Sequence, residues 1–480
     1  MDEKSTRRDV IKSLAGFAIG AGMLTDPFNK EYLHLPNEEI KIKVSPPGPK
    51  SLNMLNEMKK YVGRTNYIGL FSICLKSGNG IYIQDLDDNI YIDCITGAAT
   101  NILGYSRDDI ANIYYETVTR IQHTAFGFSP TKEPIELSRK LAELAPGNFT
   151  KKVLIGLSGS DSIGGAIEAS RKFTGKMGII SFSNAYHGST GLSQAASGFK
   201  SLNDGIYDLA DPNFVKVPFP ISPEQTEQTL KEIESLLTSG RIAAVLAEII
   251  QGDGGTLTAS RGFFSRLRDL LDSNGVLLIT DEIQSGMGRT GQWWASISEN
   301  IVPDIMVLGK SLSAGYAPVS AVIGRSEVID SLPGAAQIFT FGGHPACTAV
   351  ASKVLDIIEN EKLLNNADMI GTRMLKGLKE VQEKYPDAVV DSRGRGLMIG
   401  LEINVSKNKS AGKIFAYRCV EKGVYFATTG PNDSMIRVLP PITISEKECD
   451  TVLRIVQEVA SEMQAGSIPQ STIDKVKKYT

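Results

Sequence analysis

Cysteine and histidine are scarce in this chain, and where they occur they are scattered. Five cysteines (Cys74, Cys94, Cys347, Cys419 and Cys449) form no CxxC, and only four histidines are present. A disulfide framework and a zinc site are both disfavoured, so no metal ligand is expected. Excess charge of either sign is also missing: 51 Lys and Arg against 54 Asp and Glu leave a formal charge of -3 and a pI near 6.0. A balance of this kind offers no basic face to nucleic acid and no polybasic run to a membrane surface. No internal repeat and no low-complexity linker interrupts the 480 residues. No GxGxxG follows an early strand, as a dinucleotide-binding oxidoreductase would require. The roughly 75 residues ahead of the first apolar runs carry no basic winged-helix pattern, which argues against a ligand-sensing transcription regulator.

Hydrophobic positions make up 42% of the chain and charged ones 22%, enough for a sizeable core and more than one domain. The first 28 residues stand apart. "STRRDVIKSLAGFAIGAGML" sets the pair Arg7 and Arg8 before an apolar stretch rich in Gly and Ala, from Leu14 to Leu24. The segment resembles a twin-arginine export signal and is too short to span a bilayer. The other reading is an amphipathic start helix. The protein is accordingly expected in the cytoplasm, or in the periplasm if the signal is real.

Beyond it, "KVLIGL", "GIISF", "AAVLAEII", "VLLITDEI" and "DIMVLG" are short apolar runs separated by stretches with helical spacing, such as "FFSRLRDLLDSNG". Runs buried on both faces and alternating with helices predict an α/β domain with a mostly parallel sheet. The expected division is a segment 29–75 packing with a small domain, a large domain 76–335, and a smaller C-terminal domain 336–480.

Ligands of such sheets bind beyond the carboxyl ends of the strands. After "KVLIGL" comes "SGSDS", where backbone N–H groups and hydroxyls at a helix start form an anion site around Gly159 and Ser160. After "GIISF" comes "SNAYHGST", with the aromatic Tyr186. After "VLLIT" comes Asp281, a carboxylate at a strand end that needs a cation. After "DIMVLG" comes Lys310, an amine at the edge of the core, where lysine is rarely found without a task. Ser311 or Ser313 is expected to cap a helix there. One ligand satisfies all four features: pyridoxal 5'-phosphate, whose phosphate, ring, ring nitrogen and aldehyde take the anion site, the aromatic face, the acid and the amine.

"DEIQSGMGRTG" followed about twenty residues later by "GKSL", together with "LAEIIQGDGG", "TFGGHPAC" and "MIRVLPPITIS", resembles the class III aminotransferases of fold type I. The resemblance runs from about Tyr67 to Ser461. It implies a seven-stranded large-domain sheet and a homodimer with shared active sites. It also implies Lys310 as the Schiff-base lysine, Asp281 as partner of the ring nitrogen and Gln284 as donor to the ring hydroxyl. Gly159 and Ser160 are implied as phosphate ligands, Tyr186 as the stacking residue, and Thr340 as a phosphate ligand from the other subunit. Arg437 is implied as the receptor of a substrate carboxylate, the substrates being an amino acid or amine and a 2-oxo acid.

Some positions depart from the family pattern. Gly164 stands where an acid is frequent, His344 where asparagine is usual, and Glu248 lacks the customary following proline. Asp253 in "QGDGG" replaces a glutamate that pairs with the arginine matching Arg437 and swings aside for 2-oxoglutarate, and it is one methylene shorter. The same stretch, with "GKSLSAGYAPVSAVIGR", resembles isoleucine 2-epimerase and related amino-acid racemases of this family, in which the matching aspartate is implicated beside the lysine. Transamination is the leading expectation and racemisation the alternative, with Lys310, Asp281 and Asp253 as the catalytic candidates.

Overall fold

The structure is a computed structural model and describes residues 39–67, 69, 71–199 and 211–479. The Arg7-Arg8 segment, and with it the expected 1–28 leader, lies outside the described residues.

The centre is a sheet of seven strands: β1 (Lys151–Gly156), β2 (Gly178–Phe182), β3 (Phe214–Val217), β4 (Ile242–Glu248), β5 (Leu277–Asp281), β6 (Ile305–Leu308) and β7 (Ser320–Arg325). Their spatial order is β1-β7-β6-β5-β4-β2-β3. Strands β6, β5, β4, β2 and β3 pair in parallel, while β7 runs antiparallel to both β6 and β1. Every residue of β2, β4, β5 and β6 is buried, which is why these strands read as unbroken apolar runs with no alternation. Strands β3 ("FVKV") and β7 ("SAVIGR") carry no such run: Lys216 interrupts one, and Gly324 and Arg325 end the other. Helices such as Gly159–Thr174 and Phe263–Asn274 cover the faces. The first is fixed at its start by a reciprocal cap, in which Ser158 accepts from Asp161 N while Asp161 accepts from Ser158 N.

Two further sheets join distant parts of the chain. Strands Leu75–Asn79, Tyr82–Asp85 and Ile90–Asp93 form one sheet, completed by Val424–Tyr425, which pairs in parallel with Ile90–Asp93. An antiparallel sheet holds Val389–Arg395, Met398–Ile403, Met435–Val438 and Ala427–Thr429, in that order. Long helices Pro345–Asn360, Leu363–Lys384 and Glu446–Gln464 follow the helical spacing of the sequence. Among the described residues, no helix is long and apolar enough to cross a membrane.

Candidate active site

The parallel strands point their carboxyl ends at one cavity of about 150 Å³. Gly159 and Ser160 line it from the start of the helix after β1, and Tyr186 from the loop after β2. Asp253 enters from the turn after β4, Asp281 and Gln284 from the end of β5, and Lys310 from the end of β6. Seven residues singled out in the sequence, drawn from five elements, therefore face one space.

Lys310 sits where the backbone is forced. Gly309 before it is extended, and Lys310 itself has φ +41°, a left-handed conformation that costs a side-chain-bearing residue free energy. A single 3-10 turn, Lys310–Ser313, replaces the helix expected after β6, because Ala314 and Gly315 also turn left-handed and end it. Ser311 caps no helix; its hydroxyl donates to Ala99 O at 2.6 Å. The result is an amine aimed off a strand end, with no hydrogen-bond or ion-pair partner among the described residues.

Asp281 is buried, and its partner is an imidazole: Oδ2 lies 2.8 Å from His187 Nδ1, and Oδ1 accepts from Ile283 N at 3.0 Å. His187 follows Tyr186 in "AYHGST" and is also buried, held by Ser197 Oγ accepting from His187 N at 2.9 Å. Sequence reasoning stopped at the aromatic and missed its neighbour. The strand-end acid, which needed a polar partner, was the signal that could have found it.

Glycines set how closely the parts approach. A Cβ on Gly159 would lie 2.7 Å from Ile283 Cδ1, and one on Gly252 would lie 2.0 Å from Gln284 Oε1. At both places a Cβ would displace a cavity-lining side chain. The loop after β5 is shaped by buried Glu282, which accepts from Ser285 Oγ (2.7 Å), Ala295 N (3.0 Å) and Ser296 N (2.8 Å). Farther along, buried Arg289 donates to the carbonyl of Pro440, tying this loop to the end of the strand that carries Arg437.

Arg437 belongs to the antiparallel sheet and reaches the cavity through Asp253: its Nη2 donates to Asp253 Oδ1 and, at 2.7 Å, to Thr429 Oγ1. The aspartate, shorter than glutamate, still closes this pair, because its turn is drawn toward Arg437. Asp253 O accepts from Thr429 Oγ1 at 3.1 Å and from Gly430 N at 3.2 Å. Arg437 Nε is buried without a partner among the described residues. Thr429 is a second member that the sequence did not single out.

Thr340 is exposed and does not line this cavity. It lies between exposed Ile338 and Phe341. Gly164, on the helix after β1, has open space where a side chain would be. His344 stacks on His123 with ring centroids 5.7 Å apart, away from the cavity.

A strand-end lysine over a cavity with an anion-receptive helix start and a buried strand-end aspartate defines an α/β enzyme of the fold type I transaminase architecture. A transaminase from the marine bacterium Virgibacillus superposes with a TM-score of 0.81 at 25% identity, covering 86% of this chain and 99% of that one. The chain belongs to the class-III aminotransferase family, which it matches over residues 64–460. Its relatives include the alanine/serine racemase of Pyrococcus horikoshii, 33% identical over 93% of this chain and 98% of the relative. They also include the isoleucine 2-epimerase of Lentilactobacillus buchneri, 32% identical over 88% and 98%. Aminotransferases and racemases thus occur together among its relatives.

Proposed function

We propose that the enzyme uses pyridoxal 5'-phosphate to move an amino group between an amino acid and a 2-oxo acid. The residues fit the cofactor. Lys310 offers an amine without a partner among the described residues, Gly159 and Ser160 offer N–H groups at a helix start, and Asp281 offers a buried carboxylate oriented by His187. When bound, the cofactor supplies an electron sink that makes the Cα–H bond of an attached amino acid labile.

The chain's own groups do the rest. Asp281 would hold a proton on the ring nitrogen, and its bonds to His187 and Ile283 N keep it in place for that task. Tyr186 and Gln284, which line the same cavity, would cover the ring and donate to its hydroxyl. The Lys310 amine would serve as the base that takes the proton from Cα. Arg437 receives the substrate carboxylate, fixing which bond stands over the lysine.

The observation that carries the reading is the Arg437–Asp253–Thr429 contact. An enzyme that accepts two acids in turn needs a carboxylate receptor that is neutralised at rest and opens for each. Arg437, paired on Nη2 and unpartnered on buried Nε, has that form. Thr340, exposed between apolar Ile338 and Phe341, supports a homodimer in which each subunit's Thr340 reaches the other's phosphate site.

Racemisation is the second reading. It is favoured by Asp253, which lines the same cavity as Lys310, and by the two racemising relatives that match over most of both chains. Both reactions start with the same proton removal, so the proton's fate is the test. The holoenzyme is mixed with single amino-acid enantiomers in heavy water without any 2-oxo acid. Transamination predicts stoichiometric loss of the yellow cofactor absorbance, one equivalent of 2-oxo acid and little of the opposite enantiomer. Catalytic formation of the opposite enantiomer carrying deuterium at Cα overturns transamination and establishes racemisation.

A further inference from the structure

Glu248 is the last residue of β4 and the register partner of Asp281 on β5, so two carboxyl groups stand side by side at adjacent strand ends. It is buried, lines the cavity, and has no cationic partner among the described residues. An acid placed this way is costly unless its oxygens are used. Both are. Oε2 accepts from Tyr186 N at 3.0 Å and Oε1 from Gly252 N at 3.1 Å. Asp281 binds the side chain of the next residue, His187. The two neighbouring acids thus seat the Tyr186–His187 dipeptide, and Glu248 also bridges it to the turn carrying Asp253.

We propose that Glu248 is a positioning residue for the reaction, setting the separation between the Tyr186 loop and the Gly252–Asp253 turn by bridging their backbone N–H groups. The proposal rests on the cofactor reading above and extends it to a residue whose two oxygens are both taken by backbone N–H groups. Without the bridge, the Tyr186 backbone loses its acceptor, and the Gly252–Asp253 turn is left to the bonds on its far side, among them those of Thr429 and Gly430 to Asp253 O. Beside the bridge, Gln251 Nε2 donates to Ser183 O at 3.0 Å, a second tie between the two loops that reaches neither Tyr186 nor Gly252 itself.

The test uses holoenzyme carrying Glu248→Ala or Glu248→Gln. Measured are single-turnover rate and substrate affinity with an amino acid, visible circular dichroism of the bound cofactor, cofactor content and thermal midpoint. Glutamine keeps one acceptor oxygen and the side-chain length; alanine keeps neither. Alanine is expected to lower the single-turnover rate roughly 10- to 100-fold, as an ångström-scale misplacement does. It should also reduce the cofactor's dichroism at full cofactor content, and glutamine, which can accept from only one of the two N–H groups, should fall between alanine and the parent in both. A rate within about twofold of the parent for Glu248→Ala, with unchanged dichroism, overturns the proposal. So does a loss of cofactor and thermal midpoint in both variants, which marks a role in folding only. The dichroism depends on bound cofactor rather than on turnover, so if the parent enzyme proves inactive on amino acids, the reading of function fails while this placement is still tested.

Discussion

Replacing Asp253 by asparagine is expected to tighten the binding of dicarboxylates, because the receptor arginine is held at rest by a carboxylate of the protein itself. The pair is partly buried, with side-chain exposures of 14% for Arg437 and 24% for Asp253. Bonds to charged groups contribute about 1.5–3 kcal/mol when shielded, and exposed ion pairs about 0.2–1. This pair falls between, at about 1–2 kcal/mol, which at 1.4 kcal/mol per decade is roughly a 5- to 30-fold change in affinity. Asparagine retains an oxygen for Arg437 Nη2, and Thr429 stays in place, so the guanidinium keeps its position and only the competing charge is removed. The assay is the inhibition constant of glutarate against an amino-acid substrate, measured at two salt concentrations to separate local competition from screening. An unchanged or weaker constant refutes the reasoning, since Arg437 would then not be the group that receives the carboxylate.

Borohydride treatment of the yellow holoenzyme should attach the cofactor to the peptide containing Lys310, and Lys310→Ala should remove both the label and nearly all turnover; a label on another lysine refutes the assignment. Burial, together with the neighbouring Asp281 and Asp253, pushes the Glu248 carboxyl from its ordinary 4.5 up to about 8. Between those values the folded protein holds a proton that the unfolded chain has released, so its contribution to stability falls as pH rises from about 4.5 to about 8 and is level outside that window. The thermal midpoint of the apoenzyme should therefore decline relative to Glu248→Gln across that range, and parallel curves for the two proteins refute the shift.

The sequence alone determined the core of the sheet and most of the cavity, for a physical reason. Strands β2, β4, β5 and β6 are buried on both faces, so they had to be apolar runs, and the first polar residues after them had to be those at the ligand end. Asp281 and Lys310 stood out because a charge beside such a run is costly without a use. Strands β3 and β7 escaped because a mixed strand has the same composition as a loop until its neighbours are known. Only the tertiary structure decided the pairings between distant parts of the chain. His187 meets Asp281 across 94 residues, Glu248 meets Tyr186 across 62, and Arg437 meets Asp253 across 184. Spacing along the chain carries no information about such contacts, because the crossover helices between parallel strands vary in length while the strand ends always return to the same edge. The reach of Asp253 is the clearest case. Its side chain is one methylene shorter than the family's glutamate, but Thr429 and Gly430 draw its backbone toward Arg437, and the position of the main chain, not the length of the side chain, closes the pair.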